Sequence, residues 1–431
     1  MYAESLDGVG WAWNTTAGIM WPPNATEQTQ SDILRLVEAG AAVFQDTNPA
    51  ARAESDADWT IKLVGQLTPL KAQADKVMHS GGNGDYLVSS DGVHFDGLPG
   101  VGRVDVDGGR TPGARWDTEN NFFFDHSTRR YVGAMRAPRD PRCGIWWPSC
   151  LKHCKSCGAG NLTDQRNGVV SVRAVSIMQS ANASFDSEFT DNVVAVQPLP
   201  TEQLYSQVTF PMHGLYFGLV GKADVYEKPF PVGTFNGKPA FGHVNRVHCT
   251  LQWSRDLLHW EPVEEMAGFI PLEWTRWDSH LCYASASPVV MDDGTVRVYY
   301  SGSNGPHDGL NKTSQLGLAT LKASDRFVGY RQTNASAPAT VQVQAVCGGA
   351  TLLIGADLDG SSAASLRAGA VGVAGLELSD AVPLTAADAH GRPDLTATFA
   401  AGKDFAAHVG STITLEIELA GGARAYSVAW Q

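Results

Sequence analysis

A short phrase recurs along this chain, and it limits the architectures open to it more than any other feature. Ser5-Leu6-Asp7-Gly8-Val9-Gly10-Trp11 stands near the start. Ser90-Asp91-Gly92-Val93-His94-Phe95 repeats its core with Phe for Trp, and Ser254-Arg255-Asp256-Leu257-Leu258-His259-Trp260 repeats it with Leu for Gly. Fainter forms lie at Ser184-Phe185-Asp186-Ser187-Glu188-Phe189 and Ser324-Asp325-Arg326-Phe327. Marks that return at intervals of about 65–95 residues belong to modular arrays, here the blades of a propeller with long insertions. In each blade the phrase reads as an Asp-Gly turn joining the two outer strands. Gly takes positive φ, the Asp side chain bonds its own turn, and the following aromatic packs between sheets. The Asp residues of the phrase are therefore read as architectural.

The rest of the sequence agrees with an all-β chain. Tyr131–Met135, Gly214–Val220 and Thr295–Tyr300 are β-branched or aromatic runs bounded by turn residues. One exception is Thr29–Ala42, where the spacing predicts a short helix after Ser31 or a loop insertion. Composition changes near residue 335: eleven of the twelve Trp precede it, and the tail is rich in Ala, Gly, Val, Leu and Thr. The expected domains are a propeller over 1–332 and a β-sandwich over 340–431, joined by Thr333–Ala339. Tyr2–Ser5 reads as the end of a third strand, so the expectation is a first blade that lacks its inner strands.

A net charge of −13 argues against nucleic acid, which requires a basic face. No apolar run has the length of a membrane span, and no signal peptide follows Met1. Six Asn-x-Ser/Thr acceptors, at Asn14, Asn24, Asn161, Asn182, Asn311 and Asn334, point to a secretory protein whose leader is absent from this sequence. Four of the seven Cys crowd into Cys143, Cys150, Cys154 and Cys157, of which only the last pair has two-residue spacing. Two disulfides stapling an inserted loop are expected there in preference to zinc, and Cys249, Cys282 and Cys347 are expected to be buried thiols. No metal or other cofactor is expected.

Several stretches resemble the five-bladed β-propeller glycoside hydrolases, the superfamily that holds families 32, 43 and 68. They are YAESLDGVGW (2–11), VFQDTNP (43–49), SSDGVHF (89–95), WDTENNFFFDHSTRRYVGAMR (116–136), WDSHLCYASASPVVMDDGTVRVYYSGSNGPH (277–307) and LGLATLKASDRFVGY (316–330). The chain is most similar to an uncharacterised family-32-like branch whose tail ends in a phrase like LEIELAGGARAYSVAW (415–430). The resemblance implies an active site at the channel mouth with three carboxylates: a base or nucleophile Asp from the first blade, a supporting Asp from the second and an acid Glu from the third. Glycoside cleavage needs one carboxyl that protonates the leaving oxygen and a second, ionised, that attacks or activates water.

Within that frame Asp46 follows an apolar strand where a second-blade carboxylate would stand, and Asp117 and Glu119 open the next inner strand, with Glu119 as the acid. At i and i+2 on an extended segment, Asp117 and Glu119 share a face. Glu202 and Tyr205 precede or open a fourth-blade strand, Tyr205 offering a ring to a sugar. Glu273, Arg276, Trp277, Asp278 and His280 make the densest polar-aromatic cluster of the chain, and His307 is placed to line the same pocket. Sugars present C–H faces to aromatic rings and hydroxyl edges to charged groups, so this mixture suits them. His248 stands where the branch usually carries an acidic residue. The expected function is hydrolysis of a terminal glycosidic bond in an oligo- or polysaccharide. Against it stands a non-catalytic carbohydrate-binding propeller. A sialidase reading is weak, because no arginine cluster accompanies the Asp phrase.

Overall fold

The computed structural model describes residues 2–5, 7, 9–10, 12–14, 42–50, 61–65, 84–90, 103–104, 120–140, 145–146, 172–185, 189–196, 202–235, 237–263, 268–273, 275–284, 287–332, 337–358, 363–389 and 394–431. They divide into two units. One comprises Met1–Pro288 with Val298–Ala319, the other Val289–Arg297 with Thr320–Gln431.

The first unit is a succession of antiparallel sheets taken in chain order. β1 (Tyr2–Glu4) and β2 (Ala12–Asn14) form a two-stranded ribbon. β3 (Ala42–Gln45), β4 (Ile61–Gly65), β5 (Gly84–Ser89) and β6 (Arg103–Val104) make a four-stranded meander. β7 (Asn121–Asp125), β8 (Arg130–Asp140), β10 (Val172–Ser180) and β11 (Phe189–Val196) make the next sheet, with β9 (Ile145–Trp146) on the end of β8. β12 (Glu202–Met212), β13 (Leu215–Phe235) and β14 (Lys238–Ser254) follow as a meander, with β15 (Trp260–Pro262) on β14. β16 (Leu281–Ala284) joins β14 in parallel and pairs antiparallel with β18 (Val296–Ser303), which carries β19 (Ser314–Leu321) on its other edge.

Local chemistry sets these turns. His213 and Gly214 take φ of 51° and 75° between Met212 and Leu215, the two-residue hairpin whose twist matches its strands. Gly237, at φ 74°, stands just before Lys238 at the start of β14 in the β13–β14 hairpin. Apolar residues then knit consecutive sheets together. Ala42, Val64 and Val88 share one core with Phe122, Phe124, Tyr131 and Met178 of the following sheet. Val132 and Ile177, from the opposite face of that sheet, share another with Leu204, Tyr216 and Val220. A third core lies among Ala223, Val244, Val247 and Leu281.

The recurring phrase folds as its chemistry requires. Asp7 Oδ1 accepts from Ser5 Oγ at 3.0 Å and from the Val9 and Gly10 amides at 2.8 Å each. Asp256 Oδ1 does the same with Ser254 Oγ (3.1 Å) and the Leu258 and His259 amides (2.8 Å each). Leu257, which stands where the first phrase has Gly8, has φ 68°, a conformation that costs a non-glycine residue about 1–2 kcal/mol. Its side chain is fully buried in the core with Tyr216 and Val220, and that burial offsets the strain. Asp91 and Asp186 lie outside the described residues.

The second unit holds two four-stranded antiparallel sheets. One has the order β20 (Tyr330–Arg331), β27 (Arg424–Trp430), β22 (Leu352–Asp357), β25 (Asp394–Thr396). The other has the order β21 (Ala339–Val346), β26 (Thr412–Ala420), β23 (Ser365–Ala370), β24 (Leu384–Thr385). In β26, Ile413, Leu415, Ile417 and Leu419 alternate into a core shared with Leu352, Ile354 and Phe405. β17 (Val289–Val290) and the first residues of β18 form a separate hairpin counted with this unit.

The cysteines require one correction. Cys249 and Cys282 are joined in a disulfide between β14 and β16, with Cα atoms 5.4 Å apart, and are not thiols. Thirty-three residues of sequence separate two strands that the fold makes neighbours, and spacing along the chain carries no trace of that. Cys347 is a buried thiol as expected. The Cys143–Cys157 cluster and the helix expected within Thr29–Ala42 lie outside the described residues, except that Ala42 opens β3. No helix among the described residues is long and apolar enough to cross a membrane.

Candidate functional site

The predicted site residues separate into three groups. Asp46, just beyond β3, is buried among donors: its Oδ1 accepts from the Asn48 amide at 2.9 Å, and its Oδ2 accepts from the Tyr131 hydroxyl at 2.8 Å and pairs with Lys62 Nζ. Asn48 Nδ2 donates in turn to Tyr131 Oη at 3.0 Å and to the Ala183 carbonyl at 2.7 Å. Lys62 is itself buried, with Nζ 5.6 Å from the Phe185 ring centre. Asp46 thus ties the second sheet to the third, and both its oxygens are taken. Asp117 and Glu119 lie outside the described residues.

The second group is built on the 273–280 loop and β18. Asp278 is wholly buried. Its Oδ2 accepts the Tyr300 hydroxyl at 2.7 Å, and Arg276 Nε lies 3.3 Å from Oδ1. Burial, and then the Asp278 carboxylate, hold the Tyr300 phenol well above its ordinary pKa. Trp277 stacks on the Tyr300 ring, centroids 5.9 Å apart and planes at 18°. Gly302 makes this possible, since a Cβ there would meet Trp277 Cζ3 at 2.6 Å and Asp278 Cβ at 2.8 Å. Arg276 reaches back to Glu273, at 3.8 Å, on the exposed side of the loop. The sequence treated this loop as one face. The structure turns Asp278 and Trp277 inward as an anchor and leaves Glu273 and Arg276 at the surface.

The third group gathers Tyr205 of β12, Tyr283 of β16 and His307. Ring centroids are 5.2 Å apart for Tyr205–Tyr283, 4.8 Å for Tyr205–His307 and 6.3 Å for Tyr283–His307. His307 is held from two sides. Its amide donates to the Asn245 carbonyl at 2.8 Å, and its Nδ1 lies 2.7 Å from Asp308 Oδ1, whose other oxygen accepts the Val244 amide at 2.9 Å. A carboxylate at Nδ1 favours the tautomer with its proton there and leaves Nε2 for a second partner. His280 donates its amide to Ser303 and accepts from Val247, and its Nδ1 lies 2.9 Å from Ser279 Oγ. Burial, and then the Arg246 charge, lower its pKa.

Beside these, His248 Nε2 lies 3.1 Å from Asp224 Oδ2 across β14 and β13. Glu202 begins β12 as the register partner of Asp224. Tyr283, Arg246, Asp224, Lys62 and Tyr131 were not singled out by sequence. Each reaches its partners from another strand: Lys62 and Tyr131 meet Asp46 from β4 and β8, Asp224 meets His248 across β13 and β14, and the parallel seating of β16 on β14 brings Tyr283 into the group. Among the described residues no three His, Cys, Asp or Glu side chains group as a metal site requires.

No family model and no curated protein matches the chain. Solved structures do. A glycoside hydrolase shares 12% identity over 60% of this chain and 61% of its own, with a TM-score of 0.37. A glycosyl hydrolase from Bacteroides ovatus shares 14% over 62% and 65%, with a TM-score of 0.35. An exo-β-1,3-galactanase from Phanerochaete chrysosporium, solved with galactose, shares 10% over 91% and 95%, with a TM-score of 0.27. The chain spans between about three fifths and two thirds of the first solved structures it matches.

Proposed function

We propose that this chain is a carbohydrate-active protein of the five-bladed propeller glycoside hydrolase type, with a C-terminal β-sandwich, and that it takes the terminal sugar of an oligo- or polysaccharide. The observation that carries the reading is the Tyr205–Tyr283–His307 cluster with its Asp308-held imidazole. Rings at this spacing offer faces to the C–H surface of a pyranose, and His307, His280 and Arg246 supply polar edges for its hydroxyls. The run of antiparallel sheets packed in chain order supports the propeller. The Cys249–Cys282 bridge suits an oxidising compartment, in keeping with the six Asn-x-Ser/Thr acceptors.

For hydrolysis the candidates are Glu119 as acid, Asp46 as the supporting second-blade carboxylate, and Asp117 on the same face as Glu119. Glu202 opens the strand that carries Tyr205, and Glu273, Arg276, Trp277 and Asp278 lie on the segment that leads into β16 and Tyr283. One observation favours a second reading, a binding protein without catalysis: both Asp46 oxygens are occupied, one of them by an ammonium. The test is a panel of aryl glycosides together with oligosaccharide binding, on the wild type and on Tyr205→Ala, His307→Ala and Glu119→Gln. Hydrolysis lost in Glu119→Gln, and binding lost in the other two, is the expected result. Binding without hydrolysis selects the second reading. Unaltered binding in Tyr205→Ala and His307→Ala removes the site.

A further inference from the structure

The disulfide lies in a narrow seam. Between β14 and β16 there is one registered pair, Val247 with Leu281, and the Val247 amide donates to the His280 carbonyl at 2.9 Å. Two residues further along β14 the ladder to β16 has ended. The Cys249 carbonyl accepts instead from the Phe269 amide at 2.7 Å, and Cys249 bridges to Ile270. The covalent link from Cys249 to Cys282 spans this point. It is buried on both sides, with Cys249 and Cys282 at 1% and 0% exposure.

On either side of this link stand the residues of the sugar cluster. His248 precedes Cys249 and Arg246 lies two residues before that, while Tyr283 follows Cys282 and His280 stands two before it. Tyr205 belongs to β12, on the far side of β13 and β14 from β16. The Tyr205 and Tyr283 rings still meet at 5.2 Å, and how β16 seats on β14 enters into that distance.

We propose that the Cys249–Cys282 bridge is the positioning element of the carbohydrate site, so that ligand is held by the oxidised protein and released when the bridge is opened. This rests on the sugar-site reading above. Reduction by a dithiol breaks the Sγ–Sγ bond, delivers two electrons and two protons to give two thiols, and leaves the reductant as its cyclic disulfide. Two unbonded sulfurs no longer hold the covalent separation, and they move apart by about 1 Å or more. A displacement of about 1 Å at a site built for one geometry costs up to about a hundredfold in function.

The experiment compares the wild type, Cys249→Ala/Cys282→Ala and the volume-filling Cys249→Val/Cys282→Ala. Oligosaccharide affinity and hydrogen exchange at the Val247 amide are read for each, with the Ile417 amide of the second unit as control. Both variants are expected to lose at least about tenfold in affinity and to exchange faster at Val247, with Ile417 unchanged. Affinity within twofold of wild type in either variant overturns the proposal, since packing then suffices. Should the variants fail to fold, wild-type protein reduced and then reoxidised takes their place. Affinity lost and regained supports the proposal, and affinity indifferent to reduction overturns it. If the wild type binds no oligosaccharide, the sugar reading falls by itself and Val247 exchange alone decides the positioning role. Protection unchanged without the bridge overturns it there too.

Discussion

Replacing Lys62 by Met removes an ammonium from one of the most enclosed charged groups among the described residues. Asp46 then keeps the Asn48 amide and the Tyr131 hydroxyl as donors and loses its counterion while remaining 1% exposed. Breaking a buried pair from one side costs about 3–5 kcal/mol, because the remaining charge cannot reach water. Asp46→Asn alone does equal harm, since it leaves the Lys62 ammonium against the Phe185 and Tyr131 rings with no anion. The double change Asp46→Asn/Lys62→Met removes both charges. Asn still accepts from the Asn48 amide or the tyrosine hydroxyl, and the Met side chain lies on the rings the lysine stem covered, so the double variant is expected within about 2 kcal/mol of wild type. Urea unfolding followed by tryptophan fluorescence reads this cycle, because eleven of the twelve Trp precede residue 335. Single variants within about 1 kcal/mol of wild type, or a double variant no better than the singles, would refute the buried pair. The double variant also serves the activity assay. It removes the Asp46 carboxylate without unfolding the sheets, so any loss of hydrolysis in it belongs to chemistry.

Further outcomes are expected. At Leu257, whose φ is 68°, Leu257→Ala keeps the backbone strain and loses about 2–5 kcal/mol of core packing. Leu257→Gly relieves about 1–2 kcal/mol of strain and is expected to be the more stable of the two by urea midpoint, the reverse of the order in an ordinary strand. Burial works to raise the Asp125 pKa but is outweighed by hydrogen bonds from Thr128, Tyr216 and Ser127, so its folded value lies below its unfolded one. Its contribution is present above the unfolded carboxylate value and disappears as pH falls through the folded one. Asp125→Asn should therefore flatten the acid side of the stability profile. His280 has the opposite chemistry and the same sign, since its lowered pKa means the unfolded chain binds the proton first. Stability should fall as pH drops below about 6.5, less so in His280→Asn. Among the acceptor sites, Asn182 and Asn311 are exposed, and Asn182 Oδ1 caps the Ser184 amide at 2.7 Å. On protein secreted from a eukaryotic host both should carry glycan, read as a mass loss on enzymatic deglycosylation, and unmodified peptides at both would refute this.

Much of the fold was legible because β periodicity and turn chemistry are local. The Ser-x-Asp phrase specified its own hydrogen bonds, and in Asp7 and Asp256 the carboxylate caps the same amides two and three residues on. Even the exception obeys the rule: Leu257 takes the conformation meant for Gly, because the turn, once capped by Asp256, fixes the backbone and the core receives the side chain. Alternation in Thr412–Leu419 announced β26 and the face it buries. Sheet order was less accessible. That β16 runs parallel to β14 is decided by the cores each strand must cover, at a sequence distance where no local pattern reports it.

The candidate residues were visible in the composition, but their assembly was not. Residues 273–280 drew the sugar reading by their side chains, but a loop rich in carboxylate, arginine and tryptophan serves equally to anchor itself. The glycine at 302 decides between the two, by admitting Trp277 and Asp278 against the β18 backbone. Once those two turn inward, His280 is carried to the other side of the segment, where its main chain bonds both Ser303 and Val247. The loop thereby delivers β16, and with it Tyr283, to β14. The anchor and the aromatic cluster are two ends of one construction. A Gly302→Ala substitution, which sets a Cβ against Trp277 and Asp278 opposite Cys282 in the ladder, should therefore cost about 1–3 kcal/mol in stability and lower oligosaccharide affinity with it. Loss of stability with affinity unchanged would separate the two ends and return residues 273–280 to a purely structural role.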